Sequence, residues 1–484
     1  MKKYLFFFFI LFPIIIYSEE WIFLKSKDYL RITDSFVRDL DNDGIDEIII
    51  ASFTYSGKRV DIYKIVKNDL VLVDEIDVPK RTIFYDVGDI DNNKIMDIAF
   101  LASDGLYYKS INLTKENQKL KLNYIPNIFS EIVVPQPELL KSVPMIIDLN
   151  GDGFNELIIE NVRSIEIFDT KNFTKVAAID LETILEFALI PGQFYPHYIF
   201  YTLPIIQIKD LDNDNKKEII TKFPRSINIF GINKGLDNWQ LKRKIYIGKD
   251  NVYFLSNSFV KFSFPVITDI DNDGIKEIII SSANLDMPRI RFEAVGDVYY
   301  FSKWNFNINE SKQIVIKGIP LNLPYFFNIS NDKYKDFICP SIPFNLLTIF
   351  TILSGRGNVN VPFMYYQQDK DKFDIKNAKK LFEIPFRIEH ITSFVEELPF
   401  DQYKENFFPD FYYFLFNPKE KTVDIIYYYY DKNKYQSETV KVLSVPDYSS
   451  ELPGCLKLGK FRNSSKKDVL FVIHKNFFVV KRKD

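Results

Sequence analysis

The chain has 484 residues, of which 46% are hydrophobic and 16% aromatic, and carries a formal charge of −3 at pH 7. One hydrophobic core stops growing at ~250–300 residues, so this length requires several domains or a repeat, and scattered lysine without a basic patch excludes a nucleic-acid binder. Cys339 and Cys455 are too few for a disulfide framework, their pairing being left open, and His197, His390 and His474 stand in no metal-ligand or triad spacing, which argues against histidine chemistry.

The first element is MKKYLFFFFILFPIIIYSEE: two lysines, an apolar run from Tyr4 to Tyr17, then Ser18 before two glutamates. This order of positive head, apolar centre and small residue is that of a secretory signal, and the run falls short of the ~20 residues that a spanning helix needs. The expectation is a signal peptide over 1–18, an exported mature chain from 19 to 484 in the periplasm, at the cell surface or secreted, and no transmembrane segment in it. A retained anchor is the alternative.

After a short stretch, EEWIFLKS, comes RDLDNDGIDEIIIAS from Arg38. The pattern recurs as GDIDNNKIMDIAFLAS from Gly88, IDLNGDGFNELIIEN from Ile147, KDLDNDNKKEIITKF from Lys209 and TDIDNDGIKEIIISS from Thr268. Worn copies follow as NISNDKYKDFICPS from Asn328, QYKENFFPDFYYFLFN from Gln402 and KFRNSSKKDVLFVIH from Lys460. Counting the first acid as position one, the first six copies start at Asp39, Asp89, Asp148, Asp210, Asp269 and Asn328, in steps of 50, 59, 62, 59 and 59. A period above forty residues indicates a propeller or solenoid. Each period holds an apolar lead-in, the acidic loop, a β-branched run such as EIIIAS, and two more runs such as RVDIYKIV and DLVLVDEIDV. Four short strands per period describe a propeller blade. The expected fold is therefore all-β: one β-propeller of eight four-stranded blades, or seven if the Gln402 copy is an elaborated loop. The last period is one strand short, and EEWIFLKS is expected to complete it and so remove an open sheet edge.

Within DLDNDGIDE the acids Asp39, Asp41, Asp43 and Glu47 occupy positions one, three, five and nine, and the glycine at six permits a positive-φ bend. Carboxylates this close repel unless a cation lies between them, and calcium, with its irregular oxygen cages, suits the pattern. An EF-hand is rejected, because its glutamate at position twelve is replaced by Ile50 inside a strand.

The acidic loop, the strand after it and the blade-length spacing together resemble the FG-GAP or VCBS repeats, the calcium-loop repeats of integrin α-subunit propellers and many exported bacterial proteins. The Phe-Gly and Gly-Ala-Pro signatures of the integrin version are not evident, so the bacterial form is the closer resemblance; that family usually closes seven blades. The resemblance implies calcium ligands at Asp39, Asp41, Asp43 and Glu47; at Asp148, Asn150, Asp152 and Glu156; at Asp210, Asp212, Asp214 and Glu218; and at Asp269, Asp271, Asp273 and Glu277. A weaker set is implied at Asp89, Asp91, Asn93 and Asp97, where Lys94 stands at the bend. The Gln402 and Lys460 copies are expected to hold no ion.

Two functions fit such a scaffold. The favoured one is a noncatalytic binding, adhesion or assembly module that presents loops to a protein or glycan, with aromatic stretches LEFALIPGQFYPHYIFYTLP, NVYFLSNSFVKFSF and NVNVPFMYYQQDKDKF as display candidates. The alternative is a polysaccharide lyase resembling the calcium-rich propeller lyases, although no constellation nominates its base.

Overall fold

The computed structural model describes residues 21–102, 104–111, 121–123, 140–161, 163–182, 184–189, 196–202, 205–223, 226–246, 266–286, 291–299, 312–317, 319–320, 325–330, 332–342, 348, 351, 357–369, 372–373, 378–387, 400–402, 407–417, 420–444, 455–473 and 475–482. The signal segment 1–18 and the display candidates Phe194, Tyr195 and NVYFLSNSFVKFSF lie outside these residues. Among the described residues the regular elements are β-strands, apart from a helical turn at Thr348 and Thr351. Among the described residues no helix is long and apolar enough to cross a membrane.

The strands form an all-β propeller arrangement of successive antiparallel sheets. The first sheet contains Arg31–Arg38, Glu47–Thr54, Gly57–Val66 and Asp69–Asp77. The second contains Thr82–Gly88, Asp97–Ala102, Gly105–Ser110 and Lys121–Asn123, with Lys141–Ser142 added in parallel at one edge. Next come Ile146–Ile147, Glu156–Glu160, Ser164–Asp169 and Thr174–Asp180, and then Ile205–Lys209, Glu218–Lys222, Ser226–Ile232 and Trp239–Tyr246. The fifth sheet holds Val266–Thr268, Glu277–Asp286, Arg291–Tyr299 and Lys312–Lys317. In the sixth, Tyr325–Phe327 and Ile319–Pro320 pair with Asp336–Ile342, followed by Asn358–Tyr366 and Lys379–Arg387. The seventh holds Phe400–Asp401, Asp410–Asn417, Thr422–Asp431 and Lys434–Ser444. The eighth joins Cys455–Gly459, Asp468–Ile473 and Asn476–Arg482 to Trp21–Lys25 from the opposite end of the chain, Trp21 lying opposite Arg482 and Lys25 opposite Phe478.

The packing explains why the second strand of each period is so apolar. Residues of a strand alternate between its two faces, and here both faces are covered by a neighbouring sheet. Ile48 and Ile50 pack with Leu470 and Val479 of the eighth sheet, while Ile49 and Ala51 pack with Tyr85 and Phe100 of the second. The same sharing runs along the chain. Leu101 meets Leu157, Ile158 meets Ile219, and Ile220 meets Ile278. Further on, Ile279 meets Phe337, Phe363 meets Phe411, and Tyr427 meets Phe471. The sixth and seventh sheets are joined by aromatic rings: Phe363 stacks on Phe382 at a centroid distance of 4.4 Å, and Phe411 on Tyr428 at 4.7 Å.

The display candidate NVNVPFMYYQQDKDKF is in large part sheet: Asn358–Tyr366 is a strand of the sixth sheet, and Gln368–Asp369 pairs with Lys372–Phe373. At the display candidate LEFALIPGQFYPHYIFYTLP, Ile184–Leu189 pairs antiparallel with Pro196–Thr202 in a two-stranded sheet. In the strand Thr422–Asp431, Tyr427 and Tyr428 are both buried, because this strand lies between two sheets and its faces are both covered. The Gln402 copy opens a four-stranded sheet of its own, with Asp410 as the first residue of its second strand. Sequence reading also missed a bulge that recurs between the third and fourth strands, at Ile62/Tyr63, Ile167/Phe168, Ile229/Phe230, Phe363/Met364 and Ile425/Ile426; such bulges increase the local twist.

Candidate metal centres in the acidic loops

Each acidic loop connects the first strand of a sheet to the second, and its position-nine acid begins that second strand, as with Glu47, Asp97, Glu156, Glu218 and Glu277. A carboxylate at the start of a buried strand needs donors, and the loop supplies one from its own backbone. The N–H of position two donates to the position-nine side chain: Leu40 to Glu47 at 2.8 Å, Ile90 to Asp97 at 2.9 Å, Leu149 to Glu156 at 2.8 Å, Leu211 to Glu218 at 2.9 Å and Ile270 to Glu277 at 2.6 Å.

The other acids fold the loop around themselves. The position-one carboxylate accepts the N–H of position six, from Gly44 to Asp39, Lys94 to Asp89, Gly153 to Asp148, Asn215 to Asp210 and Gly274 to Asp269, all at 2.7–3.0 Å. Position five accepts from position seven: Ile45 to Asp43, Ile95 to Asn93, Phe154 to Asp152, Lys216 to Asp214 and Ile275 to Asp273. Two residues per loop adopt positive φ. Position six was expected, and Lys94 adopts it at 71° despite its side chain. Position four was missed, although the signal is plain in the sequence: it is Asn42, Asn92, Gly151, Asn213 and Asn272, the residue types that tolerate this conformation.

This folding brings side chains from distant pattern positions together. Carboxylate oxygens of Asp39, Asp41 and Asp43 lie within 4.8 Å of one another, as do those of Asp89, Asp91 and Asp97, of Asp210, Asp212 and Glu218, and of Asp269, Asp271 and Asp273. In the third loop Asn150 contributes an amide, whose Nδ2 donates to Asp152 Oδ2 at 3.1 Å. Burial pushes the Glu156 and Glu218 carboxyls up to about 7 and Glu277 up to about 8, outweighing the backbone N–H each accepts, and nearby aspartates push in the same direction. Glu47 is likewise pushed up to about 7, mainly by burial.

Whether a hard cation fits is tested by the oxygens left over once the loop has folded. Asp39 Oδ1, Asp210 Oδ1 and Asp212 Oδ1 are buried without a hydrogen-bond donor among the described residues. Buried acceptors without donors are costly, and several converging anionic oxygens are the donor set that calcium takes. The residues present therefore suit such an ion.

The loops also bind one another. Lys217 Nζ donates to the Asp148 carbonyl, Lys276 Nζ to the Asp210 carbonyl and Asn155 Nδ2 to the Asp89 carbonyl, so position eight of one loop reaches position one of the preceding loop. At the junction of the chain ends, Asp46 and Lys460 exchange backbone and side-chain bonds at 2.8 and 2.6 Å. Sequence reading assigned position eight no role. In the worn copies other groups meet the position-nine acid: Arg462 lies 3.2 Å from Asp468, Tyr427 donates to Asp410, and Tyr365 donates to Asp336 at 3.0 Å. Cys339 is a buried free thiol.

No family model matches the chain, and no curated protein does. Solved structures do. The WD40 domain of SCAP from fission yeast aligns over 96% of this chain and 98% of its own, at 9% identity and a TM-score of 0.47. BBS1N, in a complex with ARL6DN, aligns over 95% of this chain and 93% of its own at 9% identity and a TM-score of 0.38. The exotype rhamnogalacturonan lyase YesX aligns over 95% of this chain and 72% of its own at 11% identity and a TM-score of 0.37.

Proposed function

We propose that the protein is an exported propeller of eight blades, closed by its N-terminal strand and stabilised by calcium in the acidic loops, that serves as a noncatalytic scaffold presenting a surface to a protein or glycan partner. The observation that carries the calcium reading is the repeated loop geometry that turns carboxylates inward and leaves buried oxygens such as Asp210 Oδ1 and Asp212 Oδ1 without donors. Bound there, the ion neutralises the converging carboxylates; the chain itself holds position one, five and nine side chains by backbone N–H groups and leaves their remaining oxygens facing inward. The FG-GAP or VCBS resemblance supports the same reading. Binding is preferred to catalysis because the acids are accounted for by the loop.

Extracellular calcium modules bind at ~10⁻⁴–10⁻³ M, and an ion at 100 times its Kd adds ~2.7 kcal/mol per site. The test is a thermal melt of the chain from Glu19 onward in excess calcium and in chelator. A large calcium-dependent rise in Tm, reduced when Asp269 and Asp273 are changed to alanine, is expected; no rise overturns the calcium reading. Ultraviolet assay of anionic polysaccharides for an unsaturated product is expected to give none, and a product would replace the scaffold by a lyase.

A further inference from the structure

In the first loop a lysine of the third strand faces three of the acids. Lys64 lies in the strand Gly57–Val66, beside Glu47 across the ladder, since Ile48 is opposite Tyr63. Its ammonium stands 2.7 Å from Asp41 Oδ2, 2.7 Å from Asp43 Oδ2 and 3.4 Å from Glu47 Oε1, and the side chain is 20% exposed. Positions three, five and nine thus converge on one nitrogen. In the second, third and fourth sheets the corresponding ladder neighbours are not cations: Asp97 is opposite Ser110 and Glu156 opposite Asp169, and Gly231 follows Phe230, the partner of Ile219.

The adjoining eighth loop has its own cation as well. Its position three is Arg462, where the first five loops have Asp or Asn, and Arg462 Nη2 is 3.2 Å from Asp468 Oδ1. Lys460 Nζ lies 3.8 Å from where a Cβ on Gly44 would stand, which brings a further positive charge against the first loop. These two loops meet where the two ends of the chain are joined.

We propose that Lys64 is a built-in cation that takes the place of the metal in the first loop, so that the seam between the eighth and first sheets is held without calcium and calcium binding is confined to the second to fifth loops. An ammonium at hydrogen-bond distance from two carboxylates and near a third supplies the charge that an ion would at positions three, five and nine, while Asp39 Oδ1 at position one keeps no donor among the described residues. This inference rests on the calcium reading above for the other loops. Its consequence is a division of the protein into a seam indifferent to chelators and an arc of loops that responds to them.

The test counts calcium ions per chain by native mass spectrometry and by titration calorimetry. In the wild type, Asp41→Asn together with Asp43→Asn is expected to leave the count unchanged, while Asp210→Asn together with Asp212→Asn lowers it by one. Lys64→Met is expected to raise it by one, because the three acids then lack their cation. Loss of an ion on changing Asp41 and Asp43, or no gain on changing Lys64, overturns the proposal. If Lys64→Met does not fold, the Asp41 and Asp43 variant decides against its Asp210 control. A wild type that binds no calcium refutes the calcium reading and with it the division between loops; a gain of one ion by Lys64→Met then still supports the ammonium in the first loop, and no gain overturns that as well.

Discussion

Asp86 offers a sharp test of how successive sheets are tied. It is 7% exposed in the first strand of the second sheet, and its Oδ2 accepts the backbone N–H of Met145 at 2.7 Å and of Ile146 at 2.9 Å, at the entry to the third sheet; Oδ1 accepts the N–H of Val87 at 2.8 Å. Met145 and Ile146 are themselves buried, so Asp86→Ala leaves two donors away from water. Each unsatisfied group costs ~1–3 kcal/mol, giving a loss of about 2–6 kcal/mol. At ~2.1 cal/mol/K per residue of unfolding entropy, a chain of this length shifts Tm by about 1 °C per kcal/mol. A fall of roughly 2–6 °C at pH 7 is expected by differential scanning calorimetry. Burial also pushes the Asp86 carboxyl up to about 6, against the backbone bonds that favour its charge. A carboxyl whose folded pKa is raised binds more protons in the folded state, so its contribution is full below pH ~4, falls as pH rises to about 6, and is flat above. The shift corresponds to about 3 kcal/mol. The wild type is therefore expected to lose stability between pH 4 and 6 that Asp86→Ala does not lose. A Tm change below 1 °C at pH 7, or the same pH slope in both proteins, would refute the reasoning.

Three further outcomes follow from the packing and the loops. In chelator, the raised pKa values of Glu156, Glu218 and Glu277 mean that the folded state holds protons the unfolded state releases, so Tm is expected to fall as pH rises from ~4.5 to ~8; saturating calcium should flatten or reverse that slope, and an identical slope in both conditions would count against ion binding. Phe363→Ala removes a fully buried ring stacked between Phe382 and Phe411 and is expected to cost about 3–5 kcal/mol, read from denaturant midpoints; a change under 1 kcal/mol would mean that this seam repacks freely. Deleting residues 21–25 takes away the strand paired with Asn476–Arg482 and exposes the edge of that strand, so light scattering should report association at concentrations where the intact chain stays monodisperse; unchanged scattering and Tm would show the pairing to be dispensable.

The repeat, the four strands per period and the acids of each loop were legible in the sequence because all three arise from local chemistry. A β-branched run after an acidic turn has to become a buried strand, and Asp, Asn and Gly at fixed offsets have to make the same tight loop wherever they recur. The pairing of Trp21–Lys25 with Asn476–Arg482 involves the segment that counting strands per period had singled out. The worn copy at Gln402 kept only Asp410 of its acids, yet that residue marked the start of a strand as reliably as Glu47 does. Other features depended on what comes near in space. Asn358–Tyr366 pairs with Lys379–Arg387 across the intervening pair Gln368–Asp369 and Lys372–Phe373, and Tyr427 and Tyr428 are both buried only because a sheet lies on either side. The position-eight contacts between neighbouring loops join residues some 66 to 69 positions apart, a separation at which no local pattern acts. Lys64 is the clearest case: in the sequence it is one lysine among many on a strand, and only the ladder that places it beside Glu47 makes it the counter-charge of the first loop. Local propensity and periodicity determined the strands and loops, whereas the identity of the charge inside each loop was decided by the neighbours that folding brought to it.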